Sequence, residues 1–315
     1  MAENATPITF LLGCTAGGKG SAGRALATRI GAEIVSVDSM KVFRRMDIGT
    51  AKPSPTKRQL VPHHLIDVAE PSEGFSVAAF VRRAEEAATE IAGRGGHVLA
   101  VGGTPLYIKA WSEGLFDGPS ADPVIRAELT AQAERLGTDV LHAELAKLDP
   151  EAASRIHPND LRRIVRAIEV HRITGTPISE LQTQWDRQRT KHPCTFIGLR
   201  RSLEDQNHRT NLRVRRMMED GLVDEVQRLL DEPTDLSITA RQALGYAEVI
   251  QHLEEGTPLA DAVEMIKINT RRFAKAQRTW FKRFHATSWI DLSPDSAVDE
   301  VVDQILAIEG SGWST

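Results

Sequence analysis

The sequence predicts an α/β fold in which a parallel sheet is covered by helices and interrupted by an all-helical insertion. Three observations predict it. Short apolar runs at residues 8–12, 33–37 and 97–101 alternate with amphipathic stretches of helical period. Glycines follow the first and third of these runs, where a parallel strand hands over to a turn. From about residue 119 to 191 there is no strand signal at all.

Taken in order, residues 8–12 form a fully buried strand, a Gly-rich turn follows, and a helix covers residues 18–30. Residues 33–37 form a second strand ending at Asp38. A helix over residues 76–92 leads to a third strand at 97–101 and the loop Gly102-Gly103-Thr104. The insertion consists of amphipathic helices broken at Pro150, Pro158 and Pro177. Residues 195–199 return to the sheet, helices dominate from 205 to 284, Ser293-Pro294 opens a turn, and a last helix covers 297–308. The expected domains are therefore a core of residues 1–118 and 195–315 and a helical insertion of residues 119–194.

The chain has 315 residues, 41% hydrophobic and 26% charged, so a sizeable core is within reach. Its formal net charge of -4 excludes binding of nucleic acid by bulk charge, and any RNA contact must use local basic patches. Cys14 and Cys194 lack metal-ligand spacing and suggest no disulfide framework, which fits a reduced, cytoplasmic compartment. Residues 1–7 carry neither a basic stretch nor an apolar run, so no secretory signal is expected. No apolar run approaches the roughly 20 residues that span a bilayer, and no membrane partner is expected.

Gly13-Cys14-Thr15-Ala16-Gly17-Gly18-Lys19-Gly20 matches G-x-x-x-x-G-K and departs from the phosphate-loop pattern only at Gly20, where Ser or Thr is usual. Glycines let several backbone N–H groups converge on one phosphate, the helix start adds partial positive charge, and Lys19 adds a full one. Position 20 is where a magnesium-holding hydroxyl would sit, so Mg²⁺ is expected but loosely held. Asp38, at a strand end facing that loop, suits a general base or a metal ligand, and equally an ordinary turn former. Gly102-Gly103-Thr104 allows close backbone approach and offers a hydroxyl. Basic clusters occur at Arg162, Arg163 and Arg166, and at Arg209, Arg213, Arg215 and Arg216. Arg271, Lys275, Arg278 and Lys282 share one helix face with no acid from Thr270 to His285, a pattern that favours phosphate-backbone contact. Phe273, Trp280, Phe281 and Phe284 are expected to face the core from the other side.

These motifs, together with Met46-Asp47-Ile48-Gly49-Thr50-Ala51-Lys52-Pro53, Ser120-Ala121-Asp122-Pro123, Arg155-Ile156-His157-Pro158-Asn159-Asp160, Ala243-Leu244-Gly245-Tyr246 and the run from Thr270 to Phe281, resemble the bacterial tRNA dimethylallyltransferases over about residues 8 to 285. The resemblance implies a P-loop kinase-like core, with the insertion closing over a tRNA anticodon stem-loop. It implies dimethylallyl diphosphate as donor and, as acceptor, N6 of the adenine immediately 3′ of the anticodon. By motif match, Asp38 would be the base and Thr104 a second catalytic group on the diphosphate. Gly13 and Thr15 to Gly20 (Thr15, Ala16, Gly17, Gly18, Lys19, Gly20) would cradle the diphosphate, with Arg213 gripping the donor. Asp38, Ser39, Met40, Lys41, Thr104, Arg126, Arg162, Arg163 and Arg166 would meet the tRNA, beside the basic stripe of Arg271, Lys275 and Arg278. A monomer is expected.

The sequence departs from the family at Gly20, at Lys41 and Phe43 where Gln and Tyr are usual, and at Ala276 where Arg is usual. Two other chemistries share the loop: a P-loop kinase of small metabolites, which needs ATP and a well-held magnesium ion, and prenylation of free AMP. Gly20 speaks against the first, and the insertion and basic stripe against the second.

Overall fold

The computed structural model describes residues 6–115, 118–182 and 190–308. Most of the N-terminal stretch read as lacking a targeting signal, and residues 183–189 of the insertion, lie outside the described residues. The chain divides into two compact units, Met1–Ser112 with Thr190–Thr315, and Glu113–Arg189. No helix among the described residues is long and apolar enough to cross a membrane.

The first unit opens with β1 (Ile8–Gly13), α1 (Lys19–Ile30), β2 (Ala32–Val37), α2 (Pro55–Leu60), β3 (His63–His64), α3 (Val77–Gly93), β4 (His97–Gly102) and α4 (Pro105–Glu113). The second unit holds α5 (Pro123–Leu136), α6 (Thr138–Leu148), α7 (Pro150–Arg155), α8 (Leu161–Thr174) and α9 (Ile178–Leu181). The first unit resumes with β5 (Cys194–Arg201), α10 (Leu203–Glu219), α11 (Leu222–Leu230), α12 (Ile238–Arg241), α13 (Tyr246–Glu255), α14 (Leu259–Phe281), β6 (Thr287–Leu292) and α15 (Val298–Leu306).

The six strands pair in parallel in the order β3-β2-β4-β1-β5-β6. Every residue of β1 is buried, as expected of a central strand covered on both faces. Alternate side chains serve two cores. Ile8, Phe10 and Leu12 pack with Phe80, Ile91, Trp111 and Phe281 from α3, α4 and α14, while Leu11 packs with Leu26 of α1 and Val302 and Ile305 of α15. A third core gathers Val42, Phe43 and Met46 with α10, α11, α13 and α14.

Four elements escape the sequence expectation, among them α4, which follows the Gly102-Gly103-Thr104 loop directly. β3 has two residues, and α2 is a six-residue helix set by the Ser54 N-cap and Pro55. β6 is an edge strand with half-exposed alternation, a weaker signal than the continuous apolar runs of β1 and β4. Phe273 also differs from expectation: it is 41% exposed, whereas Phe281 and Phe284 are buried.

The second unit has its own core of Leu129, Leu141, Leu145, Ile164 and Ile168. Two family motifs have structural explanations there. Asp122 caps α5 by accepting the N–H of Val124 at 2.8 Å, with Pro123 in the first turn, and Asp160 caps α8 through the N–H of Arg163.

Candidate active site

The carboxyl ends of β1, β2 and β4 lie side by side, the place where open parallel sheets bind ligands. β1 runs into the glycine-rich loop and then α1. Gly18 has φ 96°, a left-handed conformation that a side chain would strain, and it lets the chain turn directly into the helix. Gly17 N–H donates to the Cys14 carbonyl at 3.1 Å, and Lys19 Nζ folds back to the same carbonyl at 3.1 Å. Burial lowers the Lys19 pKa to about 8; neighbouring Lys41 and Arg213 push the same way and Asp38 opposes them.

Side chains from the end of β5, α10 and α14 hold the loop from outside. Gln277 Oε1 accepts the Thr15 N–H at 2.8 Å, Arg213 Nη1 donates to Thr15 Oγ1 at 3.2 Å, and Arg209 Nε donates to the Ala16 carbonyl at 3.0 Å. Gln206 Nε2 donates to the Thr15 carbonyl and Arg201 Nε to that of Gly17. Gln277 Nε2 also reaches the Gly103 carbonyl at 2.6 Å, so one buried side chain ties the phosphate loop to the loop after β4.

That second loop is pressed against β2. A Cβ on Gly102 would stand 2.0 Å from the Val37 carbonyl, which accepts the N–H groups of Gly103 and Thr104 at 3.2 and 3.3 Å. Thr104 Oγ1 accepts the Ser39 N–H at 3.1 Å, leaving its own proton to be donated elsewhere. Asp38 Oδ1 accepts the N–H groups of Met40 and Lys41 at 3.0 and 3.3 Å.

Two cavities open here. The larger, about 790 Å³, is lined by residues 16–20 of the phosphate loop and by Lys41, Arg209, Arg213 and Arg216. The smaller, about 290 Å³, is lined by Thr15, Ser39, Met40, Thr104, Ile266 and Phe273 among others. Lys19, Asp38, Lys41, Arg213 and Met217 border both. Burial lowers the pKa of Lys41 and of Arg213, with Asp38 opposing the shift in each.

Asp38, Thr104, Thr15, Lys19 and Arg213 are thus brought together. Gly13 is not among them: it ends β1 and lines neither cavity. Lys41, expected on the tRNA, also borders the larger cavity. On α14, Arg271 Nη1 bonds Asn211 Oδ1 at 2.8 Å, Lys275 is exposed, and Arg278 lies close enough to Cys14 to oppose the rise that burial imposes on the thiol. Arg126 and Arg166 of the second unit both pair with buried Glu169, Arg163 pairs with Asp160, and Arg162 is exposed.

Sequence reasoning missed the supports: Arg201, Gln206 and the clamp at Gln277. A signal exists for the last, because Thr270, Ala274, Gln277 and Phe281 are one buried face at helical spacing. It also missed Glu225, whose buried carboxylate accepts the N–H groups of Asp47 and Ile48 and the Tyr246 hydroxyl at 2.6 Å, which fixes the segment containing Gly49 to Lys52.

Magnesium finds few ligands here. Among the described residues no three His, Cys, Asp or Glu side chains gather around one point, Gly20 has no side chain, and Asp47 is engaged with Lys52. A magnesium ion usually takes one or two protein oxygens beside its waters and the substrate's phosphates, and position 20, where a phosphate loop supplies one of them, has none to offer.

The IPP transferase family matches residues 41–284. A tRNA dimethylallyltransferase of Geotalea uraniireducens is 44% identical, with 92% of this chain and 93% of that one aligned. The crystal structure of a tRNA isopentenylpyrophosphate transferase from Bacillus halodurans superposes with a TM-score of 0.69 at 38% identity, covering 96% of each chain. A eukaryotic dimethylallyltransferase crystallised acting on tRNA gives a TM-score of 0.75 at 26% identity, covering 91% of this chain and 74% of that one. These neighbours share the P-loop kinase-like sheet described above. With the family model spanning residues 41–284 and a relative aligned over 92% of the chain, the chain belongs to the IPP transferase family of tRNA-modifying prenyltransferases.

Proposed function

We propose that this chain transfers the dimethylallyl group of dimethylallyl diphosphate to N6 of the adenine immediately 3′ of the anticodon in tRNA, releasing diphosphate. The observation that carries the reading is the meeting of two unlike cavities at Lys19, Asp38 and Arg213. The larger is cationic and suits a diphosphate, and the smaller, with Met40, Ile266 and Phe273 in its wall, suits a base lifted out of its stack.

An exocyclic amine is a weak nucleophile because its lone pair is delocalised into the ring. As N6 attacks the allylic carbon, the carbon–oxygen bond to diphosphate breaks and the N6 proton passes to the Asp38 carboxylate. Hydrogen bonds from Met40 and Lys41 to Oδ1 orient that carboxylate. Negative charge grows on the departing diphosphate, where the N–H groups at the start of α1, Lys19 and Arg213 stabilise it. Thr104, whose oxygen accepts from the Ser39 N–H, keeps its own proton free to donate to a diphosphate oxygen. Arg162, with Arg271, Lys275 and Arg278 on α14, serves the tRNA backbone, and the enzyme works as a cytoplasmic monomer.

Unmodified tRNA incubated with labelled dimethylallyl diphosphate, then digested to nucleosides, should yield labelled N6-isopentenyladenosine. Label in free AMP, or ATP turnover without any prenyl donor, would sink the assignment in favour of its two rivals.

A further inference from the structure

We infer that Arg24, reaching over the gap left by Gly20, supplies the cation that neutralises the donor's diphosphate where other phosphate loops use a magnesium ion. This rests on the donor reading above. Position 20 is the place of the metal-holding hydroxyl in a phosphate loop. A Cβ built on Gly20 would have one near neighbour, Arg24 Nη1, at 3.5 Å. Arg24 lies four residues on, one turn along the same face of α1. Side chains on a helix lean toward its N-terminus, so this guanidinium reaches back over residue 20.

Three further observations point the same way. The Arg24 side chain lines the larger cavity and makes no hydrogen bond or ion pair among the described residues. Burial lowers its pKa, with no acidic neighbour to offset the shift. The cavity wall carries eight basic side chains, Lys19, Lys41, Lys52, Lys57 and four arginines including Arg24, against the acids Asp38, Asp47 and Asp220. Such a wall repels a dication and attracts a polyanion. A guanidinium also meets phosphate oxygens with two parallel hydrogen bonds, which a point charge cannot. Like charges held together in a half-buried wall destabilise the empty protein, and a bound diphosphate relieves that repulsion.

The test is calorimetric titration of inorganic pyrophosphate into the full chain, once in EDTA and once in excess magnesium chloride. The wild-type protein should bind in EDTA within about three-fold of its affinity in magnesium. Arg24→Met, which keeps the stem and removes the charge, should lose about ten-fold or more in EDTA, the scale of one charge-assisted contact. Arg24→Lys should fall between them. Gly20→Thr combined with Arg24→Met should recover affinity in magnesium and not in EDTA. Thermal melts of each variant separate misfolding from lost binding, and the wild-type comparison needs no variant. Wild-type binding seen only with magnesium, or a folded Arg24→Met protein that binds in EDTA like wild type, overturns the inference. Absence of pyrophosphate binding in both buffers overturns the donor reading and this inference with it.

Discussion

Replacing Gln277 by leucine should damage stability and turnover together. The side chain is 3% exposed, and both ends of its amide are used, on the Thr15 N–H at 2.8 Å and the Gly103 carbonyl at 2.6 Å. Leucine has nearly the same volume, so the loss is of hydrogen bonds rather than packing. Two bonds at about 1 kcal/mol each are lost, and two peptide groups left unpaired add about 1–3 kcal/mol apiece where water cannot reach. Thr15 and Gly103 border the smaller cavity, where water can reach, so roughly 2–4 kcal/mol in total is expected. For a chain of this size that is a fall in Tm of about 3–6 °C.

The same change releases the loop carrying Thr104 from the phosphate loop. A displacement on the order of 1 Å between reacting groups costs about 10²-fold in rate, so kcat should drop while tRNA binding holds. Gln277→Glu gives an internal control. An ionised carboxylate still accepts from Thr15 but opposes the Gly103 carbonyl, whereas a protonated one donates to it. Its Tm deficit should therefore shrink as pH falls below about 5. Calorimetry and single-turnover prenyl transfer measure both effects. A leucine variant with wild-type Tm and wild-type kcat would refute the clamp.

Three further outcomes are expected. Asp38→Ala should lower turnover by roughly 10²–10⁴-fold with pyrophosphate affinity nearly intact, and normal prenylation by that variant would remove Asp38 from the chemistry. Neutralising Arg271, Lys275 and Arg278 together should weaken tRNA binding and flatten its dependence on salt, whereas an unchanged slope would mark the stripe as a solvated face. Lys19, with its pKa lowered to about 8, must be charged to hold the donor, so kcat/KM for the donor should fall as pH rises through about 8. Stability moves the other way: between about 8 and the ordinary lysine value the unfolded chain binds more protons on this group, so the empty protein gains stability with rising pH, a slope that Lys19→Met should remove.

Residues 8–20 are legible in the sequence because backbone chemistry leaves them few alternatives. A fully apolar run must be covered on both faces, and a chain that turns at once into a helix needs a left-handed residue such as Gly18. Asp38 and Thr104 are legible because strand ends in a parallel sheet converge. Gln277, Glu225 and Arg24 are not, because their meaning is relational. A glutamine on α14 is a clamp only if a loop more than 250 residues earlier is beside it. Glu225 organises residues 47–49 across a gap of 178 to 176 residues. β6 hides because its alternation is that of a half-exposed edge.

The arginines of the second unit divide into two kinds, and the division is testable. Glu169 is fully buried and accepts from Arg126 Nε at 2.8 Å, Arg166 Nη1 at 2.6 Å and the Asp122 N–H at 2.8 Å. Burial raises the Glu169 pKa, but hydrogen bonds from Arg126 and Arg166 outweigh it and hold the carboxyl below its ordinary value. A buried carboxylate left unpaired is strongly destabilising. Each arginine here backs up the other and is itself partly exposed, so Arg166→Ala should cost about 1–3 kcal/mol rather than the full penalty. Glu169→Ala, which strands both guanidinium groups and the Asp122 N–H, should cost as much or more. Arg162 is exposed on α8 and its side chain has no partner among the described residues, which suits a phosphate. Arg162→Ala should therefore weaken tRNA binding with Tm unchanged, while Arg166→Ala lowers Tm whether or not tRNA is present. Melting curves and tRNA titrations on the two variants decide it: if Arg166→Ala melts like wild type, the Glu169 cluster does not hold this unit together, and Arg166 returns to the RNA-binding set.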